Sequence, residues 1–172
     1  MDSESLKYRT LLADDLEAVR ALLTDAYAAI PESSRIPIQA LIRMGGKRLR
    51  PSLVLLSSHT CAPDREVALL AAAGVEMLHT ATLVHDDLID NALIRRGIAT
   101  LNATWPPTAT VLAGDILFAL AAKMVARTGS NALVRRFAET LEAICAGELS
   151  QLFDRDGGIP TVPGYYERIH AK

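Results

Sequence analysis

Glu76-Met77-Leu78-His79-Thr80-Ala81-Thr82-Leu83-Val84-His85-Asp86-Asp87-Leu88-Ile89-Asp90 runs without a glycine or a proline. The stretch predicts the second half of a long helix over residues 65–91. Asp64 is placed to cap that helix, with Pro63 just before it. Gly74 lies inside it and costs up to ~1 kcal/mol relative to alanine, which points to a close contact with another helix. At about 100° per residue, Asp86 and Asp90 share a face and Asp87 sits beside them. Like charges this close destabilise an isolated helix. A helix that carries three of them has a counter-charge to hold.

Working outward, the rest of the chain also reads as helices. Leu12, Leu16, Val19, Leu23, Ala26 and Ile30 form one apolar stripe over residues 11–30. A short helix is expected over 37–44, stopped by Gly45-Gly46. Pro51 suits the first turn of a helix reaching residue 60. Residues 92–107 read as a polar loop ending in Pro106-Pro107. Residues 108–127 are apolar nearly all round and read as a core helix. Helix Asn131–Phe153 follows Gly129-Ser130, then a loop over 154–164. Residues 165–172 look like the opening turns of another helix, with no stop signal before Lys172. The fold class is all-α, a helical bundle in a single domain over 1–172.

Composition agrees. Half of the 172 residues are hydrophobic, and aromatics make up 5%, which favours packed helices over a sheet. A net charge of -2 gives no basic field to attract nucleic acid. Cys61 and Cys145 lie outside any CxxC spacing and read as buried thiols of a reducing compartment. Met1-Asp2-Ser3-Glu4-Ser5 is too polar for a signal peptide. No uninterrupted apolar run reaches the ~18 residues of a spanning helix. A cytoplasmic protein without a transmembrane segment is expected.

The charged motifs suggest a metal ion and a phosphorylated ligand. Mg²⁺ takes hard oxygen ligands, commonly one or two carboxylates plus substrate phosphates and water. Asp86, Asp87 and Asp90 could supply the carboxylates; the plain alternative is a solvated acidic helix end. Gly45-Gly46-Lys47-Arg48-Leu49-Arg50-Pro51 puts three cations at a turn entering a helix, where backbone N–H groups also favour anions. Arg95-Arg96-Gly97 forms a second cationic site. Either run alone could be a solvated basic loop. His79, two turns before Asp86, is a core histidine or a donor to phosphate. His85 could be a metal ligand but reads first as a hydrogen-bonding histidine. Asp115, in an apolar helix, is expected to be buried with a partner. Glu148 and Gln151 share a helix face as ordinary polar packing.

The order of these motifs is more specific than any one of them. Gly45 to Pro51, Glu76 to Thr80, His85 to Asp90, Arg95-Arg96-Gly97, Gly114-Asp115 and Gly147-Glu148-Leu149-Ser150-Gln151 occur in one line. Together they resemble the trans-isoprenyl diphosphate synthases, or polyprenyl synthetases, from about Leu11 to Lys172. The resemblance implies an all-α isoprenoid-synthase fold. It implies Mg²⁺-dependent condensation of isopentenyl diphosphate with an allylic diphosphate. It assigns Asp86, Asp87 and Asp90 to the metal and the allylic diphosphate, with Arg95 and Lys172 as further contacts. Lys47, Arg50, His79 and Arg96 would hold isopentenyl diphosphate, and Gln151 would lie near the reacting centre. Ala81 and Thr82 occupy positions where short-chain members carry a bulky aromatic. Their small size implies an all-trans product longer than farnesyl diphosphate.

Members of the family are close to twice this length, and a second aspartate-rich motif is absent here. The chain is therefore expected to be an amino-terminal half, weakly active or inactive alone, and dimeric. The alternative is a non-catalytic partner subunit of a heteromeric synthase, against which the intact aspartates and arginines argue. A class I terpene cyclase would share the aspartate motif but not the Gly-Gly-Lys-Arg site.

Overall fold

The computed structural model describes residues 10–35, 38, 47–61, 64–153 and 161–171. The chain divides into two compact units, Met1–Gly129 and Ser130–Lys172. The first contains helices α1 (Ala13–Tyr27), α2 (Leu49–Cys61) and α3 (Arg65–Ile89), then strands β1 (Ile94–Arg95) and β2 (Ile98–Ala99), then α4 (Leu101–Thr104) and α5 (Pro107–Arg127). The second contains α6 (Asn131–Phe153) and α7 (Val162–Ala171), which pack on each other. The all-α reading holds. The helix expected over 37–44 lies outside the described residues, apart from Ile38, which is helical and buried.

Helix α3 is the axis of the first unit and touches α1, α2, α4 and α5. Asp64 caps it as expected: the carboxylate accepts a hydrogen bond from Glu66 N at 2.8 Å. Leu70, Ala73, Met77, Ala81 and Val84 are buried at steps of three and four residues, forming the stripe that faces the core. From α1, the Tyr27 hydroxyl donates to Met77 Sδ at 3.2 Å, and burial pushes its pKa up. Gly74 marks the close approach of α5: a Cβ there would stand 2.8 Å from Val125 Cγ2. Pro107 opens α5 at a position where its missing N–H costs no hydrogen bond.

Several details differ from the sequence reading. Residues 92–107 are no plain loop; they hold a two-stranded hairpin and the short α4. Helix α5 is not covered all round, since Val111 and Leu112 are exposed. Asp115 is exposed rather than buried, because it falls on that open side. Cys61 and Cys145 are exposed free thiols, not core residues. Helices α3 and α5 are long and apolar enough to cross a bilayer by length and composition, although short polar interruptions hide this in a count of uninterrupted residues. In α3, 61% of the most apolar window is buried inside the fold, as a core helix requires.

Candidate active site

The acidic cluster sits on the last turn of α3. Asp86 and Asp90 lie one turn apart, joined by the backbone bond from Asp90 N to Asp86 O at 2.8 Å. Neither is buried. Asp87 differs: its side chain is 5% exposed and pairs with Arg95 Nε at 2.7 Å. The helix then stops at Asn91, which takes a left-handed conformation with φ 51°. Asn91 N donates to Leu88 O and Ala92 N to Asp87 O, so carbonyls of the last helical turn find backbone partners.

The chain turns directly into the hairpin. Ile94 pairs with Ala99 and Arg95 with Ile98. Arg96 and Gly97 both have positive φ, 52° and 81°, as the tight turn favoured between antiparallel strands requires. Thr100 closes the base. Its hydroxyl donates to Ala92 O at 2.7 Å and accepts from Ala103 N, which caps α4.

The other basic motif is divided by the start of α2. Lys47 and Arg50 are exposed. Arg48 turns inward, with φ 51°, and its Nη1 donates to Glu76 Oε1 at 2.6 Å. Its carbonyl accepts from Ser52 N and from the Ser52 hydroxyl, anchoring the first turn of α2.

His79 on α3 is where the two basic segments meet. Its pKa lies below the usual histidine value, first because of burial and then because of the Arg50 charge; Glu76 opposes this, and Arg96 and Arg95 add to it. Cations from 47–50 and from the hairpin thus act on one imidazole, and Arg95 is in turn paired with the acidic cluster.

The depressed pKa of His79 gives a pH dependence of defined sign. Around the ordinary value of 6.5, the unfolded chain takes up a proton that the folded chain resists. Stability therefore falls as pH drops below about 6.5 towards the folded value, and the effect vanishes at higher pH. His79→Gln should flatten this part of the curve in urea titrations at several pH values. An unchanged acid limb would show that His79 does not cause it.

The remaining expected site residues are less concentrated. Ala81 is wholly buried on the core stripe. Thr82 is half-buried, and its hydroxyl donates to His79 O at 2.8 Å. Gln151 lies near the end of α6 in the second unit, and Lys172 falls outside the described residues. His85 is the hydrogen-bonding histidine expected: its Nε2 lies 3.1 Å from Val111 O and 3.6 Å from Asp115 Oδ1. Gly114, beside Asp115, is the residue that leaves space for this ring.

Among the described residues, no group of three or more His, Cys, Asp or Glu side chains converges as a metal cage. Two carboxylates one turn apart, at a half-exposed helix end, nonetheless suit a hard cation that draws its other ligands from phosphate and water.

Comparison with known proteins identifies relatives by sequence and by fold. Residues 32–172 match the polyprenyl synthetase family. Heptaprenyl diphosphate synthase component 2 of Geobacillus stearothermophilus is 33% identical, over 91% of this chain and 52% of that protein. Octaprenyl diphosphate synthase of Escherichia coli is 31% identical, over 96% of this chain and 51% of that protein. The crystal structure of polyprenyl synthase from Caulobacter crescentus, complexed with calcium and isoprenyl diphosphate, superposes with a TM-score of 0.92 at 32% identity, covering 98% of this chain and 51% of that one. The chain thus spans about half the length of the relatives it matches. On sequence and fold together, it belongs to the polyprenyl synthetase family.

Proposed function

We propose that this chain forms the diphosphate-binding half of a cytoplasmic trans-prenyltransferase. The enzyme would condense isopentenyl diphosphate with an allylic diphosphate to give an all-trans polyprenyl diphosphate longer than farnesyl. The observation that carries the reading is that the charges of Arg50, Arg96 and Arg95 all help burial to lower the pKa of the half-buried His79, while Arg95 pairs with Asp87 on α3. Such a site neutralises two diphosphates brought side by side.

In this scheme Asp86 and Asp90 hold Mg²⁺, which when bound would neutralise charge developing on the allylic diphosphate. Arg95 contacts the same group. Lys47, Arg50, His79 and Arg96 hold isopentenyl diphosphate; His79 can accept a proton as the anion arrives and then donate to it. The allylic C–O bond breaks, the second substrate's double bond attacks the resulting cation, and the proton lost from the adduct passes to the released diphosphate. The family resemblance implies further roles for Gln151 and Lys172. The small side chains of Ala81 and Thr82 would leave room for a growing product. A homodimer is the proposed working state, consistent with the exposed Val111 and Leu112.

With one aspartate cluster, the chain is expected to bind diphosphates in the presence of Mg²⁺ and to turn them over slowly. Calorimetry with farnesyl diphosphate should show binding that weakens about tenfold or more when EDTA is added. Absence of Mg²⁺-dependent binding would overturn the proposal, and rapid chain elongation by the purified 172-residue chain would overturn the half-site reading. A second reading, in which the chain is one subunit of a heteromeric synthase, is favoured by its 33% identity to a protein named component 2. Elongation that appears only on adding a second subunit would select that reading.

A further inference from the structure

We infer that Glu76 is a positioning residue for the isopentenyl diphosphate site: its buried carboxylate, through Arg48, fixes the turn into α2 that presents Lys47 and Arg50. This role deepens the reading above and takes the identity of the ligand from it. A carboxylate beside an anion site opposes binding, yet Glu76 is buried on α3 three residues before His79 and on the same face. Arg48 answers its charge, with Nη1 2.6 Å from Glu76 Oε1. The pair sits where α1, α2 and α3 come together. Burial is the main cause of the raised Tyr27 pKa on α1, but the Arg48 charge also lowers it and the Glu76 charge raises it.

The turn needs such an anchor. Arg48 has φ 51°, a conformation disfavoured for any residue with a Cβ. Without a buried partner for its side chain, the residue would relax to negative φ and redirect Lys47, which is bonded to it. Arg50 is the second residue of α2, where backbone N–H groups have no acceptor within the helix, and Pro51 has no N–H to give. The first turn is therefore held through Arg48 O, which accepts from Ser52 N at 3.1 Å and from the Ser52 hydroxyl at 2.7 Å. Ser52 is itself buried. Glu76 grips the Arg48 side chain and Ser52 its carbonyl, and together they set the direction of the exposed cations on either side. After burial, the largest influence on His79 is the Arg50 charge, as expected of a turn aimed at that imidazole.

The test compares wild type with Glu76→Met, Arg50→Gln, Glu76→Met/Arg50→Gln and Arg48→Met/Glu76→Met. Isopentenyl diphosphate is titrated calorimetrically with EDTA present, so that no metal contributes. Glu76→Met should weaken binding about tenfold, although it removes a negative charge near an anion. If Glu76 acted through its charge alone, binding would tighten; tighter or unchanged binding overturns the inference. Arg50→Gln should cost about tenfold in the wild-type background and less than about threefold in Glu76→Met, where Arg50 is already misplaced; equal losses overturn it. Arg48→Met/Glu76→Met replaces the pair by apolar side chains and should unfold at a urea midpoint near that of wild type, yet bind about tenfold more weakly. Binding restored together with stability would reduce the pair to packing and overturn the inference. The His79 imidazole gives an arm that needs no ligand, its NMR signal assigned by its absence in His79→Gln. The charges acting on it are Arg50 on α2, Glu76 on α3, and Arg96 and Arg95 in the hairpin. Loss of the Glu76 charge alone would lower its pKa further, whereas loss of the Arg50 position would raise it towards 6.5. Glu76→Met should therefore raise it, and a fall or no change overturns the inference. If wild type bound no isopentenyl diphosphate, the reading of that site would fall, and the titration of His79 would still decide the role of Glu76.

Discussion

Arg48→Ala should destabilise the first unit by about 2–3 kcal/mol, between the cost of breaking a surface ion pair and that of breaking a fully buried one, since the Arg48 side chain is 24% exposed. The Glu76 side chain is 10% exposed and receives Arg48 Nη1 at 2.6 Å. Without the guanidinium, a largely buried carboxylate loses its cationic partner. Against a typical total of about 5–15 kcal/mol, that is a large fraction. Arg48 also has φ 51°, a conformation that costs a non-glycine residue roughly 1–2 kcal/mol. The ion pair and the Ser52 bonds to its carbonyl offset that cost. Arg48→Gly removes the same charge but relieves the backbone, so it should be milder than Arg48→Ala by about 1 kcal/mol. Arg48→Ala/Glu76→Gln, which leaves no lone buried charge, should recover much of the loss. Urea unfolding of the four proteins measures all of this. A loss below about 1 kcal/mol in Arg48→Ala would mean that water reaches Glu76 and that the pair behaves as a surface one.

This prediction also bears on the site. Among the charges of Lys47-Arg48-Leu49-Arg50, Arg48 is directed inward and Lys47 and Arg50 are exposed. The sequence shows three equivalent cations and does not sort them. The sorting comes from the positive φ at Arg48 and from a carboxylate 28 residues away, and no local pattern announces either. Asp87 was more accessible to inspection. The period that marks Leu70, Ala73, Met77, Ala81 and Val84 as buried continues onto it, so a strict helical count separates it from Asp86 and Asp90. Asn91 likewise carried a readable signal, because asparagine often ends a helix in the left-handed conformation. The hairpin left a weaker trace: Arg96-Gly97 is a glycine turn, but strands of two residues are too short to show alternation. The helices themselves were legible because an apolar period is reinforced at some of them by a cap or a proline, as by Asp64 at α3 and Pro107 at α5. Asp115 departs from the expected burial because a near-continuous apolar composition does not require cover on every side. What composition cannot show is which side of α5 the rest of the fold covers.

The His85–Gly114 contact supplies the second large effect. A Cβ at position 114 would run into Nε2 and Cδ2 of the His85 ring, with Cε1 at 2.9 Å. The ring cannot stay where it is. It would give up Val111 O at 3.1 Å and its tilted packing on Phe118, where the centroids are 5.2 Å apart. Overpacking of this kind costs about 1–3 kcal/mol, and the lost hydrogen bond adds about 1 kcal/mol. Alanine returns up to about 1 kcal/mol through its better helix propensity. Gly114→Ala should therefore destabilise by about 2 kcal/mol, read as a lower urea midpoint with unchanged slope. In a His85→Ala background the obstruction is gone and the propensity gain stands alone, so the same substitution should be neutral or stabilising by up to about 1 kcal/mol. That sign reversal is what a merely bad alanine site would not give, and it defines a coupling at the upper end of the range found for residues in contact. Equal losses in both backgrounds would show that the glycine serves the helix backbone or some other neighbour. Because His85 immediately precedes Asp86, displacement of its ring in Gly114→Ala should also disturb the acidic turn and weaken Mg²⁺-dependent pyrophosphate binding, whereas a change in stability alone would confine the pair to packing α3 against α5.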